Sequence, residues 1–163
     1  MQDTFSTERL QLGPLYPGHT AFIKDLLNTE GWIRFIGNRN IHSEEDALAY
    51  IQKILANPNV KYWLVQLKEN NTGIGIVTFI QRDYLDHPDI GFAFLPQYAG
   101  KGYAYEASKE VLNVLLKSIS IIYATTVPEN SSSIQLLEKL GLKFEKEIEV
   151  ENEKLFLYKI MAS

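Results

Sequence analysis

Apolar positions recur along this chain with two different periods, and the switches between them mark out its elements. Residues 5–15, 61–68, 73–81, 89–95, 120–127, 142–149 and 154–161 carry the alternating or short continuous apolar character of strands. Residues 19–27, 47–55, 103–116 and 131–140 repeat at helical spacing; in the first of these Phe22, Ile23, Leu26 and Leu27 share one side. Ser43-Glu44-Glu45-Asp46 supplies the second helix with an N-cap followed by acids in its first turn. Pro14 and Pro17 end the first strand, and Pro58 closes the second helix. Glu69-Asn70-Asn71-Thr72 predicts a hairpin, and Glu151-Asn152 the turn between the last two strands. Residues 28–40 hold aromatics among glycines and asparagines, and residues 82–88 read as a loop.

The resulting order, βααβββαβαββ, has no gap that calls for a linker and no internal repeat, so residues 1–163 predict one domain. Strand–helix–strand–helix with short connections in the second half predicts a mixed α/β sandwich, with helices packed on a sheet.

Composition narrows the function classes. With 163 residues, 45% hydrophobic and 22% charged, the chain is long enough for one sizeable core. A net charge of −4 argues against a dedicated nucleic-acid surface, which would concentrate Lys and Arg against phosphates. Residues 145–154 mix Glu with Lys and form no basic patch, as a solvated strand face does. The chain contains no cysteine, which excludes disulfides, thiolate metal sites and a cysteine nucleophile. His19, His42 and His87 form no i, i+4 pair and have no consistent carboxylate spacing, so no metal is expected. No glycine-rich run is followed by the Lys-Ser/Thr pair of a nucleoside-triphosphate loop. The N-terminus is polar and acidic, unlike a signal peptide, and apolar runs such as 119–127 are too short to span a bilayer. A cytoplasmic protein without a membrane partner is expected.

One segment changes the picture more than any other: Leu95-Pro96-Gln97-Tyr98-Ala99-Gly100-Lys101-Gly102-Tyr103-Ala104. It ends an alternating apolar run and opens an amphipathic one. Two glycines between a strand and a helix allow a tight turn whose N–H groups point one way. The helix start adds orphan amides and partial positive charge, together suited to a phosphate or pyrophosphate. By residue pattern alone, a plain turn accounts for the segment equally well.

Gln97-x-x-Gly100-x-Gly102-x-Ala104 resembles the pyrophosphate-binding loop of the GNAT superfamily of N-acetyltransferases. Thr7-Glu8-Arg9-Leu10-Gln11-Leu12 is similar to the first strand of its ribosomal-protein-alanine acetyltransferase branch. Asp89-Ile90-Gly91-Phe92-Ala93-Phe94 is similar to the strand before the loop, and residues 127–144 to the second cofactor-side segment. The resemblance covers nearly the whole chain. It implies the acyl-CoA N-acyltransferase fold, a central, mostly antiparallel sheet whose parallel strands splay around acetyl-CoA. It also implies transfer of the acetyl group to a primary amine by direct attack in a ternary complex. The acceptor stays open between a protein N-terminus, a polyamine, an amino acid and an aminoglycoside, and the assembly between monomer and homodimer.

The resemblance also implies roles for individual residues. Gly100 and Gly102 bring backbone to the pyrophosphate, with Gln97 and Lys101 assisting, Ala99 and Tyr103 in the cradle, and Ala104 keeping the helix start compact. Phe94 and Leu95 run their main chain along the pantetheine arm, and an N–H near Phe94 polarises the thioester carbonyl. Asn130 contacts the arm, with Ser133 nearby. Trp32, Arg34 and Phe35 wall the acceptor side, although Trp32 and Phe35 serve equally well as core anchors; Arg34 or Arg39 could meet a carboxylate or a peptide backbone. Asp89 stands where relatives often carry glutamate and would deprotonate or orient the amine, through water in view of its shorter side chain; Glu30, Glu8 and His87 are weaker alternatives. Leu137 is a departure, because many relatives place there a tyrosine that protonates the leaving thiolate. Ser133, another tyrosine or water would then supply the proton. Without that tyrosine, a non-catalytic acetyl-CoA sensor is the alternative reading.

Overall fold

Alternation in the strand segments resolves into the two faces of one sheet. A computed structural model of the protein describes residues 2–163. Its strands are β1 (Phe5–Ser6), β2 (Leu10–Pro14), β3 (Val60–Leu67), β4 (Gly73–Ile80), β5 (Asp89–Phe94), β6 (Ile121–Thr126), β7 (Lys143–Val150) and β8 (Glu153–Met161). They form one eight-stranded sheet in the order β1-β2-β3-β4-β5-β6-β8-β7. The helices are α1 (Thr20–Leu27), α2 (Glu30–Phe35), α3 (Glu44–Ala56), α4 (Tyr103–Leu115) and α5 (Ser131–Lys139). Every neighbouring pair is antiparallel except β5 and β6. The expected mixed α/β architecture is therefore borne out.

Each face carries its own core. On one, Ala107, Val111, Leu112 and Leu115 of α4, with Leu137 and Leu140 from α5 and its C-cap, pack on Trp63, Val77, Phe79, Ile90, Ile122 and Ala124. On the other, Ile23, Leu26 and Leu27 of α1, Trp32 of α2 and Ala47, Ile51 and Ile54 of α3 cover Ile76 and Leu95. These buried positions fall at helical spacings, so each helix buries one stripe and leaves the rest to water. Ser43 accepts from the Asp46 amide at 3.0 Å, as its position before α3 predicts. The turn between β7 and β8 places Glu151 and Asn152 at φ 52° and 66°, the backbone of a tight hairpin.

Two expectations are corrected. The strand expected over residues 5–15 is two strands, β1 and β2, folded antiparallel on each other with Phe5 opposite Leu12. What makes the turn is remote: the Glu106 carboxylate of α4 accepts from Thr7 Oγ1 at 2.5 Å, Arg9 N at 2.9 Å and Arg9 Nε at 2.7 Å. Within residues 28–40, a six-residue helix, α2, forms behind Thr29, whose side chain accepts from Trp32 N at 3.2 Å. Thr29-Glu30 was the available cap signal, but the helix is too short to establish an apolar period.

Candidate functional site

The parallel pair holds the main irregularity of the sheet. The β5–β6 ladder has a single register pair, Asp89 opposite Tyr123, with Tyr123 N donating to Pro88 O at 2.9 Å. Beyond that pair the strands continue without matching each other. Leu95 N donates to Ile74 O at 2.8 Å, so the odd-numbered residues of β5 pair with β4. Alternation then turns the N–H and C=O groups of Phe92 and Phe94 away from β4, toward the gap beside β6. Gly75 lies under Phe94: a Cβ there would sit 2.4 Å from Phe94 Cδ2.

Because β5 and β6 are parallel, the helices that follow them begin at the same end of the gap. After β5 the chain makes a short 3-10 turn, Pro96–Tyr98, and runs extended through Ala99. Gly100 (φ 75°) and Gly102 (φ 81°) then take left-handed conformations that L side chains rarely adopt. No heavy atom lies within 4 Å of a Cβ built on Gly100. Gly102 is the N-cap of α4, and the first helical bond is Glu106 N to Gly102 O at 3.0 Å. Tyr103, Ala104 and Tyr105 therefore start α4 with amides that have no intrahelical acceptor. Exposed backbone N–H groups, an open approach and a helix dipole suit an anion. Arg9, unnoticed in the sequence as a loop neighbour, brings its guanidinium beside Gly102 and over the Tyr103 ring, 4.3 Å from its centroid. A cleft of about 340 Å³ lies between α1 and the loop, lined by Lys24, Asp25, Asn28, Thr29, Leu95, Pro96 and Gln97.

At the end of β6, Asn130 caps α5, its Oδ1 accepting from Ser133 N at 3.2 Å. That bond leaves the Asn130 side-chain NH₂ group to donate elsewhere. Ser133 stands in the first turn of α5, and Leu137 one turn on is buried in the core.

Asp89 is placed differently from the loop. It starts β5, roughly 16 Å of strand before Phe94. Only 2% exposed, its carboxylate meets Arg82 Nε at 2.5 Å. Burial pushes the Asp89 carboxyl up and the Arg82 guanidinium opposes it, with burial the stronger. Around this pair lie polar groups that sequence reasoning missed. Tyr50 of α3 and Tyr62 of β3 share a hydroxyl–hydroxyl hydrogen bond of 2.8 Å, and Thr78 stands beside Tyr62 in the ladder. None carries a motif; only folding brings them onto one face.

Among the acceptor-wall residues, Trp32 is buried in the core beneath α2. Arg34 is exposed, with its guanidinium 4.8 Å from the centroid of the half-buried Phe35 ring. The structure thus gathers Phe94, Leu95 and residues 97–104 at one end of the gap, with Asn130 and Ser133 at the start of α5. It sets Asp89 at the closed end.

Residues 9–143 match the family described as Acetyltransferase (GNAT) domain. YnaD of Bacillus subtilis (strain 168), described as an uncharacterized N-acetyltransferase, is 33% identical over 107 residues, 64% of this chain and 62% of that protein. The chain thus spans about three-fifths of the length of the curated relatives it matches. Among solved structures, an acetyltransferase (GNAT family) from Bacillus anthracis superposes with TM-score 0.82 at 27% identity, covering 98% of both chains. A ribosomal-protein-S5-alanine acetyltransferase from Vibrio fischeri gives 0.79 at 20% identity, covering 99% of this chain and 97% of that one. Spermidine N-acetyltransferase from Vibrio cholerae, in complex with CoA and spermine, gives 0.80 at 20% identity over 96% and 97%. The last two share the fold, and one is named for a ribosomal-protein alanine, the other for spermidine.

Proposed function

The chain belongs to the GNAT acetyltransferase family, and on that premise we propose that it transfers the acetyl group of acetyl-CoA to a primary amine. The observation that carries this reading is the gap between β5 and β6, where the main chain of Phe92 and Phe94 is unpaired and leads into the Gly100–Gly102 turn.

The residues fit the coenzyme. The amides from Gly100 to Tyr103 and the α4 dipole hold its pyrophosphate, with Gln97 and Lys101 at the rim and Ala99 and Ala104 keeping the cradle free of bulk. The free edge at Phe94, with Leu95 next to it, lies along the pantetheine arm as an added strand would, and its N–H groups are donors for the acyl oxygen. Asn130 offers its remaining N–H bonds from α5. Bound there, acetyl-CoA supplies an activated acetyl thioester.

The chain's own groups handle protons and position. Asp89 holds Arg82 in place on the α3 face and thereby orients the acceptor; an ordered water takes the amine proton. Leu137 has no proton to give, so the Ser133 hydroxyl serves the departing thiolate. Arg34 and Phe35 border the acceptor, and Trp32 anchors α2 behind them.

Calorimetric titration of acetyl-CoA tests the first half of this reading, with Gly100→Glu as control. Binding to the wild type that the variant loses supports the loop assignment; no binding to the wild type at low and moderate salt sinks the proposal. Thiol release with a panel of amines tests the second half. Tight binding without release from any amine would leave a coenzyme-binding sensor.

A further inference from the structure

The polar groups around Asp89 form a track that the transfer reaction alone does not require. Tyr62, Thr78 and Gly91 lie opposite one another across β3, β4 and β5. Gly91 lies past Asp89, the last residue of β5 registered with β6, so this row ends at the gap. A Cβ on Gly91 would stand 2.6 Å from Thr78 Oγ1, so glycine there keeps the Thr78 hydroxyl reachable. At the other end Tyr62 meets Tyr50 through the 2.8 Å hydroxyl contact.

Two guanidinium groups act on this pair of phenols. Burial pushes both phenols up, Tyr62 well up, and the charges of Arg39 and Arg82 oppose it at each. Arg82 is neutralised by Asp89 at 2.5 Å. Arg39 is not: among the described residues no carboxylate pairs with it. Its guanidinium folds back over Gly37, and a Cβ at that glycine (φ 133°) would sit 2.8 Å from Arg39 Nη1. Asn38 Oδ1 accepts from Asn40 N at 2.8 Å and braces the same turn. The local backbone is thus shaped around a guanidinium that has no anion of its own.

We infer that Arg39, with the Tyr50–Tyr62 hydroxyls, binds a carboxylate on the acceptor, so that the substrate class is amines that also carry a carboxylate. A guanidinium without a carboxylate partner presents parallel donors that match a carboxylate, and the phenol whose hydrogen is not spent on the Tyr50–Tyr62 contact adds one neutral donor. A polyamine would instead bring positive charge toward Arg39. The inference rests on the transferase reading above, since it assigns the acceptor for the same reaction.

The test compares acceptors that differ only at the acid. Alanine, γ-aminobutyrate and glycylglycine are each paired with their carboxamides, with spermidine added, and rates are corrected for the fraction of neutral amine. At least one acid should exceed its amide by about tenfold or more in kcat/KM, as expected for hydrogen bonds to a charged group, with the difference carried by KM. Arg39→Ala should bring acid and amide to within about twofold, with Arg39→Lys intermediate. Acetyl-CoA affinity and the melting temperature of both variants should match the wild type, because the Arg39 side chain is exposed. Equal rates for acids and amides, a preference for spermidine, or an acid preference that survives Arg39→Ala would overturn the inference while leaving the transferase reading intact. If acetyl-CoA binds but no probe releases thiol, the transferase reading and this inference fall together.

Discussion

Individual residues divide into those that shape backbone and those that touch chemistry, and glycines show the difference. Gly75 and Gly100 look alike in sequence. An added Cβ at Gly75 meets Phe94 Cδ2 at 2.4 Å and the Ala93 carbonyl oxygen at 2.7 Å, whereas at Gly100 it meets nothing within 4 Å. Gly75→Ala should cost about 3 kcal/mol through overpacking. Gly100→Ala should cost about 1 kcal/mol through left-handed strain alone. Urea denaturation separates the two, and equal losses would contradict the assigned geometry. Ser133→Ala should lower kcat by about 10²-fold with little change in acceptor KM, the usual scale for a lost general acid. An unchanged kcat would return the proton to solvent. Asp89 was legible as a residue of interest, but its partner was not. Arg82 sits in a segment with no period, and only the tertiary fold makes the 2.5 Å pair.

Elements follow local pattern wherever they are long enough for a period to emerge. α3, α4 and the β7–β8 hairpin lie close to where their apolar spacing and caps put them. β1 and β2 do not, because their turn is organised by Glu106, 97 residues from Arg9. Burial raises the Glu106 carboxyl, but hydrogen bonds from Thr7 and Arg9 and the Arg9 charge outweigh it, leaving its pKa below the ordinary value. A depressed folded pKa means stability present above the unfolded value, about 4.3, and lost as pH falls through the folded one. The difference in melting temperature between wild type and Glu106→Gln should therefore be full near neutrality and shrink as pH falls below that value. A difference that persists undiminished in acid would mean that the ionised carboxylate does not hold the turn.

At the scale of the whole molecule, five strands and three strands meet through one parallel register pair. The Phe92 and Phe94 amides face the gap and should exchange with solvent faster than those of Ala93 and Leu95, which pair with β4. Saturating acetyl-CoA should protect them, as hydrogen–deuterium exchange with residue resolution would show; fast exchange in both states would remove the added-strand role. The sequence by itself determined the alternation of elements, the helical faces, the glycine turn and the family motifs, because these depend on neighbours within a few positions. Only the tertiary structure decided that β1 turns on a distant carboxylate and that β6 leaves β5 after one pair. It also brought Arg39, Tyr50, Tyr62, Arg82 and Asp89 to one face. Those outcomes depend on side chains that meet across strands and helices, and no local period encodes such meetings.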